Sequence, residues 1–201
     1  MSEPAHHLQF KSPSPWVVRF APMVPTNGAS GGQVLDLAAG GGRHGRHFLE
    51  RGHAVVAADK DVSALADLAQ HDAAEVIQID LEDGRAWPFA DRKFAAIVVS
   101  NYLFRPHIDG LIASLEPGGV LLYETFARGN ETFGRPRNPD HLLKSGELLD
   151  LVCGKLQVVA YEHGRTDEAP PGMKQRLCAV NDLALSTRED GDPPPHLLSP
   201  E

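Results

Sequence analysis

Val34-Leu35-Asp36-Leu37-Ala38-Ala39-Gly40-Gly41-Gly42-Arg43-His44-Gly45-Arg46-His47-Phe48 is the segment from which the architecture of this 201-residue chain can be read. Its apolar opening has the pattern of a buried parallel strand, its glycines permit a sharp turn with close approach of a ligand, and Arg43 onward has the pattern of a helix. A strand, a bare turn and a helix start together form a cradle for a cofactor. Gly40, Gly42 and Gly45 fit the G-x-G-x-x-G spacing of dinucleotide sites, while Asp36-x-Ala38-x-Gly40-x-Gly42 fits the acidic glycine loop of sites for S-adenosylmethionine (SAM).

Asp36 separates the two. A carboxylate at the strand end would face the pyrophosphate of a dinucleotide, and at ~5 Å with an effective dielectric of ~20 each like-charge pair costs about 3 kcal/mol. The methionine portion of SAM instead carries an ammonium and a sulfonium, which a carboxylate suits, and its own carboxylate can use the free amides of a helix start. A plain structural role, Asp36 capping a turn, stays open.

Outward from this segment, His53 to Asp59 is expected as a second strand ending in an acid about twenty residues past Gly40, where a doubly wound fold meets ribose hydroxyls. Asp59 serves a dinucleotide or SAM equally, or simply caps a helix over Val62–Gln70. Glu75 to Asp80 repeats the strand-then-acid pattern, with Asp80 set to accept from an adenine amino group and Leu81 to pack on the ring. Phe94–Val99 is an apolar run suited to a strand buried on both faces. A helix over His107–Leu115, the turn Glu116-Pro117-Gly118-Gly119 and a fifth strand, Val120–Thr125, follow. Lys155–Glu162 and Lys174–Leu183 are expected as strands six and seven. Pro170-Pro171-Gly172 leaves no helical crossover between them, so they should close the sheet as an antiparallel hairpin.

At the N-terminus, Ser14-Pro15 is a helix start, with Trp16, Val17 and Phe20 forming one apolar face before Pro22 and Pro25. Residues 1–13 are expected as a flexible arm, 14–185 as one α/β domain, and 186–201, with Pro193-Pro194-Pro195, as a disordered tail. The formal net charge of −8 argues against nucleic acid or an anionic membrane as partner and for a small-molecule substrate. Two distant cysteines, Cys153 and Cys178, give neither a disulfide framework nor a metal pair, and no apolar run approaches the ~18 residues of a membrane span, so a cytoplasmic monomer or homodimer is expected. His44 and His47 lack a third ligand at recognisable spacing, and no metal is expected.

The chain resembles the class I SAM-dependent methyltransferases over most of Val34–Leu183. The glycine loop, Asp59, Asp80-Leu81 and Leu115-Glu116-Pro117-Gly118-Gly119 carry the likeness, with a fainter likeness to the tellurite-resistance-related, small-molecule members. The resemblance implies a Rossmann-like seven-stranded sheet, mostly parallel with helices on both faces and a reversed last strand. It implies SAM along the C-terminal edge at Asp36, Ala38, Gly40, Gly42, Asp59, Lys60, Asp80, Leu81 and Ser100, with S-adenosylhomocysteine (SAH) as product. Ala38 replaces a frequent glycine. Ser100-Asn101-Tyr102-Leu103 departs from the signature of amino-group DNA methyltransferases. Tyr102, His107 and Glu124 are the polar groups expected near a transferred methyl, although each has a structural alternative. Arg128, Arg135 and Arg137, in the irregular segment after the fifth strand, are expected to hold an anionic or electron-rich acceptor, unless they pair with Glu124, Glu131 or Asp140. An NAD(P)-binding oxidoreductase and a non-catalytic SAM-binding regulator are the alternative functions.

Overall fold

Strand β1 (Val34–Leu37) is buried at all four positions, as are β2 (Val55–Asp59) at all five and β4 (Phe94–Ser100) at all but its last. Strands covered on both faces have no polar side to show, which is why they appear as continuous apolar runs. The structure, a computed structural model, describes residues 12–167 and 171–197. It contains one seven-stranded sheet in the order β3-β2-β1-β4-β5-β7-β6, completed by β3 (Ala74–Gln78), β5 (Leu115–Phe126), β6 (Gln157–Thr166) and β7 (Gly172–Val180). Pairings from β3 through β5 are parallel, while β7 runs antiparallel to both β5 and β6. The closing hairpin follows from the proline-bearing link, which has no crossover helix to return the chain in parallel.

Helices α1 (Pro15–Phe20), α2 (Arg43–Glu50), α3 (Ile108–Ala113) and α4 (Glu147–Val152) flank the sheet. Two apolar layers result. Leu35, Leu37, Val56, Ile97, Leu121 and Leu177 face one side, with Leu111 and Leu148 from α3 and α4; Val34, Val55, Val98 and Leu122 face the other, with Phe20 and Phe48 from α1 and α2. Ser14 caps α1 by accepting from the Trp16 backbone N–H at 3.2 Å. Trp16 Nε1 donates to the Leu177 carbonyl at 3.1 Å, which fastens the N-terminal helix to β7.

Two local expectations need correction. The helix over Val62–Gln70 is absent apart from a single 3-10 turn at Leu68–Gln70. Arg46 is the reason: its guanidinium takes the Ala64 carbonyl at 3.1 Å and the Asp67 carboxylate at 2.6 Å, drawing the segment into turns. Glu116–Gly119 is not a detached turn but the irregular start of β5, whose register against β4 shifts between Phe94 and Ala96. Gly118, at φ +80°, donates to the Asn181 carbonyl at 2.7 Å, and a Cβ on Gly119 would come within 2.9 Å of two carbonyl oxygens.

Of the expected arm, residues 1–11 lie outside the described residues. Ser12 is described, and its carbonyl accepts from Arg43 Nη1 at 3.1 Å. The expected tail is described from 186 to 197, where His196 Nε2 meets Asp182 Oδ2 at 2.6 Å. Among the described residues no helix is long and apolar enough to cross a membrane.

Candidate cofactor site

The C-terminal ends of four parallel strands converge on one cleft. After β1 the chain turns through Ala38 (φ +54°), Gly40 (φ +55°) and Gly42 (φ +71°), a run of left-handed conformations that reverses direction before α2. A Cβ at Gly42 would lie 2.6 Å from Leu65 Cδ2 and 2.8 Å from Leu68 Cδ1, so those side-chain ends would have to shift to admit one. The turn is fixed from β2: Asp59 Oδ2 accepts the Gly40 N–H at 2.7 Å, and Asp59 Oδ1 accepts the Asp61 N–H at 2.9 Å.

A cleft of about 230 Å³ lies against this arrangement, walled by Ala38, by Asp59 and Lys60, by the Ile79–Glu82 segment after β3, and by Asn101 and Tyr102 after β4. A smaller hollow of about 170 Å³ shares Ile79, Asp80 and Leu81 and reaches His107. Asp59 is nearly buried, whereas Lys60 and Asp80 are exposed at the rim. Each Asp59 oxygen has a second lone pair beyond the backbone bond it accepts, so the carboxylate can still bind hydroxyls.

Asp36 is placed differently from the expectation. It lies in the middle of β1, 1% exposed, and Oδ2 accepts the Gly45 N–H of α2 at 2.8 Å while Oδ1 lies 3.8 Å from His44 Nδ1. It therefore holds strand to helix and is not among the residues lining the cleft. Its charge nevertheless sits under the first turn of α2, which disfavours a diphosphate there.

Ser100 is likewise turned from the cleft. Its Oγ donates to Glu124 Oε1 at 3.0 Å and accepts from Arg43 Nη2 at 3.0 Å. Glu124 is 1% exposed, with Arg176 Nε at 3.3 Å and Lys174 Nζ and Arg43 Nη2 each at 3.9 Å. Burial alone would raise its pKa; Lys174, Ser14, Arg176 and Ser100 outweigh burial and hold the carboxyl below its ordinary range.

None of the three side chains expected near the methyl is set as a base. Glu124 is an anion held by cations. His107 points Nε2 at the Leu81 carbonyl (2.8 Å); a carbonyl only accepts, so that nitrogen carries the proton and ties α3 to the post-β3 loop. Tyr102 does wall the cleft, but burial first, and the Glu82 charge next, raise its pKa, leaving a phenol that donates.

Arg128, Arg135 and Arg137 are exposed on the segment after β5 and make no ion pair with Glu124, Glu131, Asp140 or any other described residue. The segment is tied at its base instead, by the bridge of Ala127 with Leu143 and by Arg105, which bonds Glu147 (2.5 and 3.0 Å) and the carbonyls of Asp140 (2.6 Å) and Leu142 (3.1 Å). Sequence reasoning missed this arginine. It also missed Asn101 as a cleft residue, although a polar residue tolerant of left-handed backbone directly after a buried strand is a usable signal.

Among the described residues no group of three or more His, Cys, Asp or Glu is placed to hold a metal ion. Residues 34–119 match the family model described as a methyltransferase domain. The demethylmenaquinone methyltransferase of Corynebacterium urealyticum is 34% identical over 104 residues, which is 49% of this chain and 44% of that protein, so the chain spans less than half the length of that relative. TehB from Haemophilus influenzae superposes with a TM-score of 0.59 at 18% identity, over 74% of this chain and 57% of TehB. The glycopeptide N-methyltransferase MtfA in complex with SAM superposes with a TM-score of 0.51 at 25% identity, over 76% of this chain and 88% of MtfA. Residues 34–119 thus match a methyltransferase domain, and the seven-stranded sheet with its reversed last strand has the class I methyltransferase fold.

Proposed function

We propose that the chain transfers the methyl group of SAM to a small-molecule acceptor and releases SAH. The observation that carries this reading is the Asp59–Gly40 bond, which holds the glycine turn against the β2-end carboxylate that walls the cleft. The donor set fits SAM: Asp59 for ribose hydroxyls, Asp80 for the adenine amino group, Leu81 for its ring, and a loop of left-handed small residues where the chain must pass close to the ligand. SAM supplies an electrophilic methyl on a sulfonium. The carbon–sulfur bond breaks as the acceptor's lone pair bonds to the methyl, and SAH leaves with the pair from that bond.

The chain's own part is to bind, align and exclude water. Alignment supplies the larger share of the acceleration in such a displacement, and no strong base is assigned. Tyr102 offers a hydrogen-bond donor to the acceptor. Arg128, Arg135 and Arg137 give the segment after β5 a positive face in a chain of net charge −8, which favours an anionic or electron-rich acceptor. Calorimetry with SAM, SAH and NAD(P) tests the cofactor: tight SAH binding without NAD(P) binding is expected, and the reverse would make the chain a dinucleotide protein. A screen of cell metabolites with labelled SAM then tests catalysis, and SAH binding with no labelled product from any extract would favour a regulator.

A further inference from the structure

The sheet edge that carries the cofactor cleft continues past β5. Because β7 returns antiparallel, Arg176 stands opposite Glu124 of β5, and the far end of β6 lies beside it in turn, with Glu162 opposite Arg176 and Thr166 opposite Gly172. A cavity of about 330 Å³ opens there, lined by residues 162–167 and Arg176. From β4 to β7 is two strand spacings, roughly 10 Å, and to β6 roughly 14 Å. A molecule whose reacting atom lies at the β4 end therefore reaches this cavity only with its far end.

The charges lining the cavity are not held alike. Arg176 is 14% exposed and is fixed from within the sheet, its Nε 3.3 Å from the buried Glu124 carboxylate. Glu162 is 50% exposed, and it meets Arg176 Nη1 only at 3.4 Å and Arg19 Nη1 at 3.6 Å. Asp167, almost fully exposed, lies 3.7 Å from Arg165 Nε. Such long, wet pairs are worth about 1 kcal/mol or less, so the two acids can turn into water while the Arg176 fork stays in place. Arg165 Cζ also sits 5.5 Å from the centre of the Phe133 ring, which joins the cavity to the segment after β5. We propose that the cavity receives an anionic group, a carboxylate or a phosphate, at the far end of the methyl acceptor. Arg176 and Arg165 hold it by forked bonds as Glu162 and Asp167 turn away. The inference rests on the methyltransferase reading.

The competing account is a surface hollow whose charges only neutralise one another. Glu162→Gln separates the two, because it removes the rival for Arg176 and leaves the fold's buried charges untouched. Arg176→Lys, which keeps the charge opposite Glu124 and loses the fork, is the companion variant. The SAH-loaded chain is titrated with inorganic phosphate, acetate and chloride at constant ionic strength while the backbone amide signals of residues 162–167 are followed by nuclear magnetic resonance. Saturable shifts are expected with phosphate or acetate and not with chloride, and the oxyanion that saturates first identifies the acceptor's group. Glu162→Gln should bind that oxyanion about 3-fold or more tightly, and Arg176→Lys about 10-fold more weakly, with SAH affinity by calorimetry unchanged in both. Absent saturation, saturation by chloride as readily, or Glu162→Gln binding no more tightly than wild type would overturn the inference in a chain that still binds SAH. A wild-type chain that bound no SAH would overturn the methyltransferase reading itself, and this inference with it.

Discussion

Asp59 and Gly40 are joined across two loops by a 2.7 Å bond from the Gly40 N–H to Oδ2, so the residue proposed to hold the ribose also sets the shape of the glycine turn. Asp59→Ala should therefore do two things. Loss of charge-assisted bonds to the ribose should weaken SAH binding about 10-fold to 150-fold, and loss of the backbone bond should lower stability by about 1–3 kcal/mol. Calorimetry and urea titration read the two separately. Full affinity in a folded variant would remove Asp59 from the ribose.

Gly40→Val places a branched side chain at φ +55° beside the cleft. The backbone strain alone is of order 1–3 kcal/mol, and the turn can relax only by breaking the bond to Asp59. SAH binding should fall below detection while far-ultraviolet dichroism keeps its α/β shape. Normal binding would mean that the cofactor approaches elsewhere.

The charge cluster around Glu124 makes a pH-dependent prediction. Removing one partner from a buried ion group leaves the others uncompensated, so Glu124→Gln should lower stability near neutral pH by about 3–5 kcal/mol. The folded carboxyl is held below its ordinary value of 4.5, so its stabilisation is present above that value and disappears as pH falls through the lower folded value. The gap between wild type and variant should be widest near neutrality and narrow below about pH 4.5. Parallel stability profiles down into acid would refute this role.

Arg135→Ala combined with Arg137→Ala should leave SAH affinity within about 2-fold, because neither side chain lines the cleft, and should raise KM for an anionic acceptor about 10-fold or more. Steady-state kinetics with an acceptor found by the labelled screen provides the measurement. Unaltered KM, or a parallel fall in SAH binding, would remove these arginines from acceptor recognition.

The two cysteines should behave differently toward a thiol reagent. Cys153 is exposed, while burial pushes the Cys178 thiol up to about 12 and places its sulfur 3.9 Å from Met23 Sδ. One thiol should react rapidly in the native protein and the second only on unfolding. Equal reaction rates would show that β7 opens readily.

Much of the sheet was legible because central parallel strands carry unbroken apolar runs and end in recognisable turns. Val34–Leu37, Val55–Asp59 and Phe94–Ser100 all lie where those runs placed them, within two residues, and the hairpin of β6 and β7 follows from a link too rich in proline to cross over. What the sequence hid depends on partners far along the chain. Nothing near Glu124 announces Lys174 or Arg176, which reach it only because β7 returns antiparallel beside β5. The Asp36 side chain was hidden too: an acid near a strand end has the same pattern whether it turns toward a ligand or toward the next helix. The absent helix over Val62–Gln70 shows the same limit, since Arg46 overrides local propensity from another element.

The base of the segment after β5 is closed twice, by the Ala127–Leu143 bridge and by the Arg105 guanidinium on the Asp140 and Leu142 carbonyls. The stretch between is also held from within: buried Asn130 accepts the Met173 N–H of β7 at 3.2 Å and donates to the Pro136 carbonyl at 3.1 Å. In the proposed reading, acceptor preference would be retuned at the exposed positions of that stretch, Arg135 and Arg137 among them, while Asn130 and the Arg105 clasp are kept.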